Sequence, residues 1–396
     1  MTDHSYTFQT KLLHNKHKAD EETGAVSVPI HNASTFHQTD FDQPGRYDYS
    51  RSGNPTREAL ESTIANLECG FRGLAFASGM AAISTSFMLL SQHDHVLVSE
   101  DVYGGTYRMI HDVLIRFGIE HTFVDMTNLE EVATAIQSNT KVIYIETPSN
   151  PLLKITDIQA VVKLAKANDC LTFVDNTFMT PALQRPLEFG ADIVLHSATK
   201  FIAGHSDVVA GLAVVRDEQL AEKLTFLQNS FGSILSPHDS WLVLRGLKTL
   251  HCRLEQSSIS AFRLAHALAK ESIIEEVYYP GFSFHPGHST HLYQSAGPGA
   301  VLSFRLPDEN AVRLFTKHVQ IPVYAVSLGA VESILSYPAK MSHASMPSEE
   351  RKKRGITDGL LRISVGLENA DDLLQDFQNA LAAIKRYDTP TRGLKV

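Results

Sequence analysis

Cysteine is scarce in this chain of 396 residues: Cys69, Cys170 and Cys252 are scattered, odd in number and form no C-x-x-C pair. That excludes a disulfide scaffold and reads as reduced thiols in a cytosolic protein. A basic excess is also missing. Lys and Arg number 35 against 44 Asp and Glu, a formal charge of −9, so the positive field that nucleic acid or anionic lipid selects is absent. Long apolar runs are missing too. The longest uncharged stretch, 73–90, is broken by Gly79 and carries several Ser and Thr, a poor membrane span. Residues 1–25 are polar and charged, without the apolar core or small-residue cleavage site of a secretion signal. No self-similar period of about 20–50 residues is visible, which argues against a solenoid or propeller. The expectation is a soluble, cytoplasmic protein with no membrane or nucleic-acid partner. Its 43% hydrophobic and 20% charged residues can bury a large core, and the length suggests two or three domains.

What is present is an alternation. Val96-Leu97-Val98, Val142-Ile143-Tyr144-Ile145, Leu171-Thr172-Phe173-Val174 and Ile193-Val194-Leu195 are apolar throughout, as strands covered on both faces are. Amphipathic segments separate them: in 157–167, Ile158, Val161, Val162 and Leu164 fall near one helical face. This predicts an α/β domain around a mainly parallel sheet. Past about residue 250 the texture changes. A long helical pattern over 250–269 leads to a strand at Val277-Tyr278-Tyr279 ended by Pro280-Gly281; further strands are expected over 300–304 and 361–365, and a last helix over 371–384. The chain therefore divides into an N-terminal arm (1–55) with little regular signal, a large domain (56–250) and a smaller C-terminal α+β domain (251–396).

In open α/β sheets ligands bind beyond the carboxyl ends of the strands. Glu146-Thr147-Pro148-Ser149-Asn150-Pro151 follows one run, Asp175-Asn176-Thr177 the next, and His196-Ser197-Ala198-Thr199-Lys200 the third. Singly, Asp175 reads as a turn or cap residue, Ser197 and Thr199 as caps, and Lys200 as a solvated surface charge. Their conjunction points elsewhere. A lysine behind a buried strand, beside Phe201-Ile202, loses solvation, and that makes its amine nucleophilic. In 75–82 a short strand turns at Ser78-Gly79 into a helix, whose first amides form an anion site that glycine lets a phosphate approach. A phosphate cradle, a nucleophilic lysine and a carboxylate together suggest pyridoxal 5'-phosphate (PLP).

These residues carry a resemblance. Tyr49-Ser50-Arg51-Ser52-Gly53-Asn54-Pro55-Thr56, Ser78-Gly79-Met80-Ala81, Val102-Tyr103-Gly104-Gly105-Thr106, the three post-strand segments, Ser327-Leu328-Gly329, Glu332-Ser333 and Arg362-Ile363-Ser364-Val365-Gly366 look like the Cys/Met-metabolism family of fold-type I PLP enzymes. The match runs in order from about residue 10 to 385, and within the family it is most similar to the bacterial cystathionine β-lyases. The resemblance implies a fold-type I transferase fold and a carbon–sulfur lyase acting on L-cystathionine. It implies that Lys200 holds PLP, that Asp175 pairs with the ring nitrogen, and that Gly79, Met80, Ser197 and Thr199 hold the phosphate. It further implies that Tyr49 and Arg51 reach the phosphate of a neighbouring subunit in a homotetramer built as a dimer of dimers. Tyr103 would stack on the ring and help activate the substrate amine; Asn150, Ser327 and Arg362 would orient the α-carboxylate.

Two departures bear on the reaction. Where the family's γ-lyases and γ-synthases commonly carry Glu before Ser-Leu-Gly, Val326 stands here; where methionine γ-lyases place Cys after Tyr-Gly, Gly105 stands. The first weakens γ-chemistry and the second weakens methionine γ-lyase, so β-elimination is favoured, although methionine γ-lyases also carry an apolar residue at the first position. Arg108, five residues after Tyr103, is a candidate for the distal carboxylate, with a solvated helix charge as the equal alternative. Three other classes compete with this reading. His285, His288 and His291 recur every third residue among 19 histidines, but no second ligand cluster supports zinc, so no metal is expected. A catalytically dead relative should have lost Lys200, Asp175 or Arg362. An aminotransferase would lack the Tyr-Ser-Arg-Ser-Gly-Asn-Pro-Thr arm.

Overall fold

The computed structural model describes residues 6–14, 20, 22–344 and 346–388; the remainder of the expected arm and of the C-terminal end lies outside the described residues. Seven strands form one sheet: β1 (Arg72–Phe76), β2 (His95–Ser99), β3 (Glu120–Val124), β4 (Thr140–Glu146), β5 (Leu171–Asp175), β6 (Ile193–Ser197) and β7 (Gly211–Val215), in the order β1-β7-β6-β5-β4-β2-β3. The pairs from β6 through β3 are parallel, and β7 runs antiparallel to both β6 and β1. The four apolar runs are β2, β4, β5 and β6. Side chains alternate between the two faces. Val174 and Val194 pack with Ile158, Val161 and Val162 of the helix Ile158–Ala167, while Tyr144, Phe173 and Leu195 pack with Ile83 and Phe87 of the helix Gly79–Phe87. Asp157 starts the first of these helices by accepting the Ala160 amide.

One strand of this sheet escapes an apolar-run criterion. β3 is an edge strand with His121 and Thr122 in it. β7 opens on Gly211, where a Cβ would lie 2.0 Å from the Ser78 carbonyl oxygen, so close passage of β1's end requires a residue with no side chain. In the N-terminal fifty residues a short helix, Phe8–Leu13, is present, with Leu12 buried in the core. Six residues are too few to display a helical period.

A second sheet comprises β8 (Glu276–Tyr278), β9 (Val301–Arg305), β10 (Val323–Tyr324), β11 (Ile334–Ser336) and β12 (Leu360–Ser364), in the order β10-β11-β12-β9-β8. Leu264 and Leu268 of the long helix Leu250–Leu268, with Phe377 and Leu381 of the helix Ala370–Asp388, cover Phe304 and Ile363 of this sheet. Two contacts bring it over the large sheet: the Val331 amide donates to the Gly204 carbonyl, and Gly329 lies against Phe201. Among the described residues no helix is long and apolar enough to cross a membrane.

Candidate active site

The parallel register places the ends of β4, β5 and β6 at one edge of the large sheet, and a cleft of about 480 Å³ opens there. Gly79, Met80, Tyr103, Arg108, Asn150, Asp175, Ser197, Thr199, Lys200, Ser327 and Arg362 all line it. Of the residues expected from sequence, only Tyr49 and Arg51 stand outside: Arg51 stacks on the Tyr49 ring and donates to Asn229 Oδ1 at 3.1 Å.

Lys200 follows β6 and turns back into the cleft. Its Nζ donates to the Ser327 hydroxyl at 2.5 Å, and no carboxylate among the described residues pairs with it. Burial, reinforced by the Arg362 charge, brings its pKa down to about 8. Ser327 itself is held at φ 96°, a strained region for a residue with a side chain. The reason is the turn it belongs to. A Cβ on Gly329 would meet the Phe201 amide nitrogen at 2.5 Å, so the chain passes flush against the lysine segment.

Asp175 ends β5. Its Oδ1 accepts the Thr177 amide at 3.0 Å and its Oδ2 the Tyr144 hydroxyl at 3.2 Å. Burial raises its pKa against the pull of the Thr177 hydrogen bonds, so a cation brought against it would be welcome. Glu146, at the end of β4, is also buried. It accepts the Tyr103 amide at 2.8 Å, and burial together with the Asp175 charge raises its pKa well above the ordinary range.

Arg362 projects from β12 and is 2% exposed. One terminal nitrogen donates to Asn150 Oδ1 at 2.6 Å and the other to the Ser327 carbonyl at 2.8 Å. Its Nε is buried without a partner, and burial lowers its pKa to about 10. A buried guanidinium with neutral partners and an orphaned N–H fits an incoming carboxylate.

At the head of the helix Gly79–Phe87, Ser78 caps by accepting the Ala81 amide, leaving the first amides without intrahelical acceptors. A Cβ at Gly79 would come within 2.9 Å of Ser197 Cβ, so this glycine keeps a cradle open. A Cβ at Gly105 would strike the Tyr103 ring at 2.4 Å, which gives that glycine a physical reason in this chain. The Thr199 hydroxyl exchanges hydrogen bonds with the Ala210 backbone. Arg108 and Val326, the latter 64% exposed, stand at the mouth.

A larger cavity of about 920 Å³ lies between the lobes, lined by Leu152, Tyr278 and Phe282. Its Lys154 is paired with Glu100 and Asp125. The rings of His285, His288 and His291 hydrogen-bond separately to backbone atoms of Gly287, Pro280 and Gly297. Tyr144, Glu146 and Thr177 were not named from sequence as site residues. For Glu146 and Thr177 the post-strand rule was a usable signal; for Tyr144 it was only the alternation that puts it on Glu146's face. Met341 and Ser342, which also line the cleft, carry no local signal at all.

The donor set fits PLP: a lysine whose burial disfavours its charged form, a carboxylate awaiting a cation, and an open helix terminus. The chain matches the Cys/Met metabolism PLP-dependent enzyme family over residues 9–382. It is 67% identical over 384 residues to cystathionine beta-lyase MetC of Bacillus subtilis (strain 168), covering 97% of this chain and 98% of that protein. It is 52% identical over 376 residues to cystathionine gamma-lyase of the same organism, covering 95% and 99%. Among solved structures, cystathionine gamma synthase from Xanthomonas oryzae pv. oryzae in complex with cystathionine superposes with a TM-score of 0.94 at 43% identity, covering 96% and 99%.

Proposed function

The chain belongs to the Cys/Met metabolism PLP-dependent enzyme family, and from that membership we propose that it is a carbon–sulfur lyase converting L-cystathionine and water to homocysteine, pyruvate and ammonia. The observation that carries the reaction type is the 67% identity to a cystathionine beta-lyase along nearly the whole of both chains. Bound PLP supplies an electron sink for the pair freed when the substrate loses its Cα proton. This chain's residues do the rest. Lys200 Nζ would hold the cofactor and, as a free amine, would take the Cα proton; its pKa of about 8 suits an amine that must be partly neutral. Asp175 keeps the ring nitrogen protonated. The amides of Gly79 and Met80, with Ser197 and Thr199, would hold the phosphate, and Tyr103, which lines the same cleft, would face the ring. Arg362, Asn150 and Ser327 clamp the α-carboxylate. The Cβ–S bond breaks with its electron pair on sulfur, which takes up the proton that Lys200 removed and leaves as homocysteine; water then converts the three-carbon remainder to pyruvate and ammonia.

Arg108 takes the distal carboxylate, and Val326 leaves the γ-carbon without a polar neighbour. The arm, 1–55, lies against a second subunit and lends it Tyr49 and Arg51; support comes from their position outside their own cleft and from the 47% exposure of Tyr49. The assembly is a homotetramer, a dimer of dimers, in the cytoplasm, and the large and small domains meet near residue 250. The experiment is product analysis with L-cystathionine. Homocysteine with pyruvate is the expected result. Cysteine with 2-oxobutyrate would make the chain a γ-lyase instead, as the relative at 52% identity is named.

A further inference from the structure

On the face of the large sheet away from Tyr144 lies a group of ionisable side chains that this chemistry does not use. Glu68, just past the helix Pro55–Leu67, and His196, on β6, are 0% and 1% exposed. His196 Nε2 lies 2.7 Å from Glu68 Oε1, and Asn176 Nδ2 donates to the same oxygen at 3.1 Å. Asn176 also donates to the Gln184 carbonyl at 2.7 Å. Gln184 in turn donates to Asn176 Oδ1 and to the Thr147 carbonyl, each at 3.0 Å. The network thus ties together the turns that follow β4 and β5 and the end of β6. Asp175 and Arg185 are the charged groups that feel it.

Stability is a poor reason for this arrangement. Glu68 Oε2 and His196 Nδ1 are buried without partners, and an ionisable pair buried in that state is less favourable than an apolar pair of similar size. Its location is a better reason. Asn176 directly follows Asp175, and its amide is pinned to the Leu195 carbonyl of β6. Ser197 directly follows His196. We propose that Glu68 and His196 form a positioning pair for Asp175: through Asn176 they fix the turn after β5, aim the carboxylate into the cleft from behind and set the charge at its back. The proposal rests on the reading that the cleft holds PLP on Lys200 with Asp175 at the ring nitrogen.

The test compares Glu68→Gln and His196→Gln holoenzymes with the wild type. It reads the pH midpoint of the bound cofactor's visible band, the dissociation constant of PLP, and kcat and KM separately. The midpoint is expected to move by about half a pH unit or more. PLP affinity and kcat should each fall about tenfold, while KM stays within about twofold because the carboxylate clamp is untouched. A merely structural pair would lower the melting temperature and leave midpoint, PLP affinity and kcat at wild-type values, and that result overturns the proposal. If one variant fails to fold, the other decides on the same readouts; failure of both assigns the pair to folding and also overturns it. A wild type with no visible band would defeat the PLP reading and this proposal with it. A normal wild-type band with two unmoved variants would defeat the positioning role alone.

Discussion

Replacing Lys200 by alanine is expected to lower turnover of L-cystathionine by on the order of 10⁴-fold or more and to remove the visible absorbance of the bound cofactor. No other described lysine can stand in, because Lys200 alone lines the cleft. The fold should survive. Lys200 contributes one side-chain hydrogen bond, to Ser327, and its ammonium form is disfavoured by burial. The sign of the stability effect follows. The folded-state pKa of about 8 lies below that of an unfolded lysine, so the unfolded chain binds more protons between the two values and wild-type stability rises with pH across that window. Cofactor-free wild type should therefore be no more stable than the alanine variant at pH 7, and should gain on it from about pH 8 to about pH 10.5. Thermal melts of both apoproteins at several pH values check this.

Arg362 should be the next most sensitive position. Its guanidinium is buried between Asn150 and the Ser327 carbonyl, and among the described residues no carboxylate forms an ion pair with it, so it is free to meet a substrate carboxylate. Arg362→Ala should cost about 3 kcal/mol, about 150-fold in kcat/KM. Most of this should fall on KM, since the α-carboxylate is held alike before and during the reaction. Arg362→Lys should recover little, because an ammonium keeps the charge but cannot present the planar fork. Steady-state kinetics on all three proteins, with PLP saturating, check both expectations; a lysine variant with wild-type KM would show that charge alone suffices.

Much of this site was legible because the chemistry sits where a simple rule puts it. Apolar strands β4, β5 and β6 end in Glu146, Asp175 and Ser197, and a reader who inspects the next few residues finds the carboxylate and the lysine. Arg362 and Ser327 were reached differently. Arg362 lies on β12 and Ser327 between β10 and β11, more than a hundred residues away, and only the family's motifs point to them. What stayed illegible depends on tertiary packing. β3 has polar residues because it is an edge. Met341 and Ser342 reach the cleft only because Gly104 lets the Ser342 carbonyl approach, where a Cβ would meet it at 2.0 Å. The Glu68–His196 contact joins residues 128 apart in sequence, and no local pattern marks it.

The central claim is that this cleft holds PLP on one particular amine. Borohydride reduction of the purified holoenzyme fixes the cofactor to the lysine that carries it, and peptide mapping by mass spectrometry then locates the adduct. A pyridoxyl group on Lys200 alone is the predicted result. An adduct on another lysine, such as Lys154 in the larger cavity, or no adduct on a protein that still contains the cofactor, would contradict the account.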